Sequence, residues 1–122
     1  MHAASVPPRR KKMLFAEDDQ EVRESMEMLL RRHEHIELVV AVDGTDAISK
    51  LTPDLALVLV DYRMPGATGN EVLRHAVDIC PRAKRVILSA FAKRDMETTW
   101  AHEVLQKPDG AIEAERLVKE LE

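Results

Sequence analysis

The chain has 122 residues, of which 45% are apolar, so it is long enough for one domain with a buried core but too short for two. Aromatic residues make up 3%, which leaves an aliphatic core, and the net charge is −4. The single cysteine, Cys80, excludes an internal disulfide, and no apolar run reaches the length of a membrane span. We therefore predict a cytoplasmic protein.

The first 12 residues differ from the rest of the chain in charge. They contain four of the 18 basic residues and no acid, which leaves 14 basic against 22 acidic residues in the remainder. Such an acidic body argues against direct nucleic-acid binding. The tail could touch a phosphate backbone or a membrane surface, but its prolines and lack of periodicity favour a solvated leader. We predict a disordered basic tail over 1–12 and a domain over 13–122, with no membrane partner.

Apolar periodicity predicts alternating strands and helices from residue 13 onward. Strands are predicted at 13–16, 36–42, 55–60, 86–89 and 103–106, and helices at 20–32, 45–51, 70–79 and 111–121. The third strand is apolar at every position, as a central parallel strand is when both its faces are covered. This order predicts a doubly wound α/β fold with a parallel five-stranded sheet.

Capping residues are predicted for two of these helices and an inward-facing apolar stripe for a third. Asp19 and Thr45 occupy the positions of N-caps for the first and second helices. In the last helix, Ile112, Leu117 and Leu121 are expected to face inward. Two histidines, His33 and His35, stand next to Arg31 and Arg32 in what is predicted to be an exposed polar loop. A zinc site there is disfavoured because two further ligands are missing.

Residue types that build a phosphoryl-transfer pocket stand at the ends of four predicted strands. Glu17 and Asp18 follow the first strand, Asp61 the third and Lys107 the fifth, and Ser89 ends the fourth. The carboxyl ends of the strands in an open parallel sheet line one crevice, where the strand order reverses. We therefore expect these five side chains to lie together.

Carboxylates crowded in one crevice repel each other, and a hard divalent cation is the usual compensation. Mg²⁺ takes oxygen ligands and binds through one or two carboxylates plus a phosphate. Asp18 and Asp61 are the best direct ligands, Glu17 is expected to act through water, and the backbone carbonyl of Arg63 could supply another oxygen. The sequence therefore predicts a magnesium site.

A carboxylate facing such a metal can attack a phosphoryl donor and carry an aspartyl phosphate. Asp61 is the candidate nucleophile. Charge then develops on the phosphoryl oxygens, and a lysine and a hydroxyl placed opposite would stabilise it, which fits Lys107 and Ser89.

These motifs resemble those of the receiver domain of two-component response regulators. The resemblance covers about residues 13–122 and is carried by FAEDD, LVDYRMPGATG, ILSA and QKP. It implies a flavodoxin-like (βα)5 fold and a Mg²⁺-dependent transfer of a phosphoryl group from a sensor histidine kinase or phosphotransfer protein. It also implies a switch in contacts with a downstream partner protein or an effector domain outside this chain; a homodimer is left open. No turnover of a metabolite is expected.

The same resemblance implies a role for each matching residue. Asp61 would be the phospho-acceptor, Glu17 and Asp18 the metal-binding acids, Ser89 the switch hydroxyl, and Lys107 the catalytic and phosphate-sensing cation. The bond from Lys107 to the proline that follows it would be cis.

The segment after Ser89 departs from the receiver pattern. Its 18 residues up to Lys107 are a few fewer than is usual, and FAKRDMETTWAH has no clean apolar stripe, so we expect a shortened or irregular fourth helix. The switch position, three residues before the lysine, is normally aromatic and is here Val104. Phe91 or Trp100 could replace the missing aromatic, although simple packing is favoured for both.

Two other functions compete with that of a phosphorylatable receiver. One is a pseudo-receiver, a protein-interaction module with phosphorylation-independent output, which the altered segment and Val104 favour and the complete set of pocket residues opposes. The other is a phosphatase of the haloacid dehalogenase type. That chemistry requires an acid two residues after the nucleophile, where this chain has Arg63.

Overall fold

The computed structural model describes residues 10–90, 96–107 and 110–122. These residues form five strands and four helices: β1 (Lys11–Ala16), α1 (Gln20–Leu30), β2 (Ile36–Ala41), α2 (Gly44–Ser49), β3 (Leu55–Asp61), α3 (Gly69–Ile79), β4 (Lys84–Ser89), β5 (Glu103–Gln106) and α4 (Gly110–Glu120). All strand pairs are parallel, in the order β2-β1-β3-β4-β5. The predicted doubly wound sheet is confirmed, and the reversal of strand order falls between β1 and β3.

The core has two layers because the central strands are buried on both faces. Leu14 and Val58 face a cluster formed with α2 and α3, whereas Phe15 and Leu59 face a second cluster formed with α1 and α4. All four side chains are fully buried. A continuous apolar run without alternation is therefore the correct signal of a strand sandwiched between helices.

Two predicted details at the start of elements are wrong. β1 begins at Lys11, so two residues assigned to the basic tail pair with β2 in the sheet. The N-cap of α2 is Asp43, whose side chain accepts a hydrogen bond from the Asp46 N–H at 2.7 Å, and Thr45 lies inside the helix. Asp and Thr are both good caps, so sequence alone did not separate them. The predicted cap of α1, Asp19, is confirmed.

The prediction that Ile112 faces inward is also wrong, because this side chain is 73% exposed. The buried stripe of α4 contains Ala114, Leu117 and Val118. Residues 112 and 114 lie on nearly opposite sides of a helix, at about 100° per residue. The inward prediction for Leu117 is confirmed, and Leu121 is partly buried against the same cluster.

The loop between α1 and β2 is exposed at Arg32 and Glu34, as predicted, but its two histidines make contacts that we did not predict. His33 Nε2 lies 2.6 Å from Glu115 Oε2, and His35 Nε2 lies 3.0 Å from the backbone carbonyl oxygen of Val118. Both histidines are partly buried and hold α4 against this loop. Contacts across such a sequence separation leave no local signal.

The connection between β4 and β5 contains no helix in its described part, residues 96–102, which form bends and a turn. The expected irregularity of this segment is therefore confirmed over those residues. Phe91, a candidate replacement for the aromatic switch residue, and Pro108, predicted to follow a cis bond, lie outside the described residues. Among the helices described, none has both the length and the apolar character needed to cross a bilayer.

Candidate functional site

Three carboxylates converge at the carboxyl edge of the sheet, at its topological switch point. The side chains of Glu17, Asp18 and Asp61 each place a carboxylate oxygen so that the three atoms lie within 4.8 Å of one another. Glu17 is 1% exposed, Asp61 is half-buried and Asp18 is exposed. The acidic cluster expected from the strand ends is thus assembled by the fold.

The loop between β1 and α1 holds two of these acids in place. The Glu17 N–H donates to the Ala41 carbonyl oxygen at 3.2 Å, which extends the pairing of β1 with β2 beyond the end of the strand. Arg23 Nη1, one turn into α1, donates to the carbonyl oxygens of Glu17 and Asp18 at 2.9 and 3.3 Å. Sequence reasoning missed Arg23, because an arginine near the start of a polar helix face has no distinguishing pattern.

Lys107 supplies the positive charge of the cluster. Its Nζ atom donates to Glu17 Oε1 at 2.9 Å and lies 3.5 Å from Asp61 Oδ1. Burial lowers the pKa of the Lys107 ammonium, but the hydrogen bond to Glu17 and the charge of Asp61 outweigh burial and raise it above its usual value. Lys107 therefore remains a cation and is shared between two carboxylates.

The Asp61 carboxyl group has a perturbed pKa. Burial and the nearby charge of Glu17 raise its pKa from 3.8 to about 6, although Lys107 acts in the opposite direction. Its Oδ1 atom accepts a hydrogen bond from the Tyr62 N–H at 3.0 Å. A partly buried carboxylate with a raised pKa beside other acids is a candidate functional group.

Glycine shapes the loop between β3 and α3, next to Asp61. Gly66 has a φ of +86°, a left-handed conformation that other residues rarely adopt. Gly69 starts α3 so close to the strand end that a Cβ atom would lie 2.5 Å from the Asp61 carbonyl oxygen. These two glycines therefore allow the tight turn from β3 into α3.

The remaining predicted site residues lie in neighbouring elements. Ser89 is fully buried at the end of β4, where it pairs with Gln106, and its carbonyl oxygen accepts from the Lys107 N–H at 2.8 Å. Val104 lies in β5 opposite Ile87, partly buried against the α2–α3 side of the core. Arg63 lies two residues after Asp61 with an exposed side chain.

The donor set of the pocket fits a hard divalent cation. Three carboxylates within bonding reach of one point are oxygen ligands of the kind that Mg²⁺ prefers, and exposed Asp18 leaves the site open to water. Lys107 compensates part of the negative charge, so the excess that remains is what a divalent ion would neutralise. Glu17, Asp18 and Asp61 are the residues that would hold it.

The fold and this site define a class: a doubly wound α/β domain with an acidic pocket at its switch point, whose oxygen ligands fit a divalent cation. Residues 13–122 match the family described as the response regulator receiver domain. The chain belongs to this family, whose members are signalling domains of two-component systems.

Solved structures of receivers share the fold. The response regulator TrrA from Thermotoga maritima, in complex with Mg²⁺ and beryllofluoride, aligns with a TM-score of 0.77 at 29% identity over 92% of this chain and 99% of that one. A CheY-like receiver protein from Methanospirillum hungatei aligns with a TM-score of 0.79 at 22% identity over 91% and 92% of the two chains, and this supports the fold alone.

Two curated relatives are transcriptional regulators. BtsR of Salmonella typhi is 33% identical over 116 residues, which are 90% of this chain and 46% of BtsR. FlgR of Helicobacter pylori is 35% identical over 63 residues, 52% of this chain and 16% of FlgR. The chain thus spans less than half the length of either relative.

Proposed function

We propose that this domain accepts a phosphoryl group on Asp61 in a Mg²⁺-dependent reaction and thereby switches its contacts with partner proteins. One arrangement carries the proposal: Asp61 ends a buried strand, has a raised pKa, and lies in one pocket with two other acids and the Lys107 ammonium. Receivers of two-component systems generally interact with histidine kinases and output domains. The donor would accordingly be a sensor kinase or phosphotransfer protein in the cytoplasm.

The transfer would follow from the positions of these groups. A carboxylate oxygen of Asp61 attacks the phosphorus of a phosphohistidine, the phosphorus–nitrogen bond breaks, and the histidine leaves with the bonding electrons. Lys107, already 3.5 Å from Asp61, pairs with the oxygens of the new acyl phosphate. The Ser89 hydroxyl, at the end of the neighbouring strand, is proposed to donate to the same oxygens.

The acids of the β1–α1 loop would serve the metal. A bound Mg²⁺ supplies neutralisation of charge on the phosphoryl oxygens. Asp18, exposed and beside Asp61, is the proposed direct ligand, and the backbone carbonyl of Arg63 is proposed as a further one. Glu17, which accepts a hydrogen bond from Lys107, would act on the metal through water.

Acetyl phosphate with Mg²⁺ tests the proposal without knowledge of the kinase. We expect an adduct one phosphoryl group heavier than the protein, labile to hydroxylamine as an acyl phosphate is. Asp61→Ala should abolish it, whereas Asp46→Ala, at another acid of the domain, should not. Omission of Mg²⁺ should also prevent it. If Asp61→Ala were labelled as strongly as the wild type, the assignment of the acceptor would be wrong.

The second candidate is a pseudo-receiver that signals by phosphorylation-independent contacts. It is favoured by Val104 at the switch position and by the absence of a helix from residues 96–102. The acetyl phosphate assay distinguishes the two candidates, because only the phosphorylatable receiver should form an adduct. A folded wild-type protein that forms no adduct with acetyl phosphate or a phosphorylated kinase, with Mg²⁺ present, would favour the pseudo-receiver.

A further inference from the structure

Residues 97–100 of the β4–β5 connection are held to the body of the domain by hydrogen bonds with side chains. On one side, Tyr62 Oη accepts from the Glu97 N–H at 3.2 Å, and Asn70 Oδ1 accepts from the Trp100 N–H at 3.1 Å. On the other, Arg85 Nε donates to the Trp100 carbonyl oxygen at 2.7 Å. Backbone groups between residues 97 and 100 are thus bound by side chains from three separate parts of the fold.

Tyr62 differs from the other anchors because it also contacts the pocket. Its N–H donates to Asp61 Oδ1 at 3.0 Å and to the Leu88 carbonyl oxygen at 3.1 Å, so one proton is shared between the carboxylate and β4. Its carbonyl oxygen accepts from the Gly69 N–H at 2.7 Å, at the start of α3. The Tyr62 ring is partly buried against the core, which fixes its direction.

We propose that Tyr62 couples the chemical state of Asp61 to the position of residues 97–100. This inference rests on the proposed function, because it assumes that Asp61 changes state. It adds a structural route by which a change at Asp61 affects residues outside the pocket. The route runs from the Asp61 carboxylate to the Tyr62 backbone N–H, and from the Tyr62 hydroxyl to the Glu97 amide. The switch position in β5 is not required.

The physical argument concerns the shared Tyr62 proton. Converting the carboxylate to an acyl phosphate removes charge from the carboxyl group, which weakens it as an acceptor, and places the new negative charge further out on the phosphoryl oxygens. The balance of the Tyr62 N–H between Asp61 and Leu88 then changes. Because the ring is packed, a small movement of its backbone is carried to the hydroxyl, where a single hydrogen bond holds Glu97.

Asn70 gives the movement a fixed point. Its side chain is 7% exposed, and it lies in the first turn of α3, beyond the loop that begins at Tyr62. Trp100, held by Asn70, is 36% exposed and is the single tryptophan of the chain. Displacement of Glu97 while Trp100 stays anchored would distort the residues between them, so Trp100 is suited to report it.

Tyr62→Phe tests the coupling, because it keeps the ring and the backbone and removes only the hydroxyl acceptor. In the wild type, Mg²⁺ with beryllofluoride should change both Trp100 fluorescence and the exchange rate of the Glu97 amide measured by NMR. In Tyr62→Phe, the Glu97 amide should exchange about two- to tenfold faster than in the wild type even before beryllofluoride is added. This factor corresponds to the loss of one hydrogen bond. Neither probe should then respond, while acyl phosphate formation from acetyl phosphate is kept.

Ser49→Ala is the matched control, since it removes one exposed hydroxyl that bonds within α2, and it should respond as the wild type does. A full Trp100 and Glu97 response in Tyr62→Phe would overturn the coupling. So would a wild type that forms the acyl phosphate while neither probe moves. A wild type that forms no acyl phosphate and binds no beryllofluoride would overturn the proposed function, and the coupling with it.

Discussion

The acidic pocket and the β4–β5 connection are neighbours at one edge of the sheet, yet their polar groups are held in different ways. In the pocket, the buried carboxylate of Glu17 and the half-buried carboxylate of Asp61 share the Lys107 ammonium. In the connection, the Glu97 and Trp100 N–H groups each donate one hydrogen bond to a side chain. A substitution in the pocket therefore unbalances several charges, whereas one in the connection releases a single bond.

This difference separates chemistry from readout. The carboxylates are fixed by strands whose hydrogen bonds and apolar contacts continue on both sides, so their geometry resists local change. Residues 96–102 of the connection contain no buried residue and are held by individual hydrogen bonds, which are features of segments that open at low free energy. We expect substitutions to have large, pH-dependent effects on stability in the pocket and small, local effects in the connection.

The largest effect is expected for Lys107→Met. It leaves the buried Glu17 carboxylate without its cation, which should lower the free energy of unfolding by about 2–4 kcal/mol at neutral pH. Urea denaturation measures the change. Lys12→Met removes a lysine that pairs with the exposed Asp54 and should lower it by less than about 1 kcal/mol. Equal effects of the two variants would contradict the view of the pocket as a buried charge cluster.

A smaller effect of opposite sign is expected for Asp61→Asn in the absence of metal. The folded-state pKa of Asp61, about 6, exceeds its ordinary value of 3.8, so the folded state binds more protons and stability falls as pH rises between these values. Asp61→Asn should remove this loss and raise the free energy of unfolding at neutral pH by about 1–3 kcal/mol. Urea titrations across this pH range measure it.

Asp46 provides the matched comparison. Hydrogen bonds from the Val42 N–H and Lys50 hold the pKa of Asp46 below its ordinary value, so its contribution is present at neutral pH and is lost in acid. Asp46→Asn should therefore destabilise the domain at neutral pH by about 1 kcal/mol. Destabilisation by Asp61→Asn as well would mean that the pocket is not strained by its charges.

Sequence predicted the sheet and the acidic pocket because both depend on local patterns read along single strands. A parallel sheet brings the ends of those strands together, so Glu17, Asp61 and Lys107 could be grouped without knowledge of the register. The residues that support the pocket and the loops through hydrogen bonds could not be found in this way. Arg23, Tyr62 and the histidines before β2 make their contacts across loops or between distant elements, and the direction of a side chain leaves no mark in periodicity.

The most local effect is expected in the connection, for Arg85→Met. Loss of its hydrogen bond to the Trp100 carbonyl oxygen should lower the free energy of unfolding by about 1 kcal/mol, because the methionine keeps the aliphatic part of the side chain. Amide exchange should accelerate within residues 97–102 and stay unchanged in β1 and β3. Arg82→Met, at an exposed arginine, is the control. Faster exchange throughout the sheet would show that the connection is part of the cooperative core, and the distinction between the two regions would then fail.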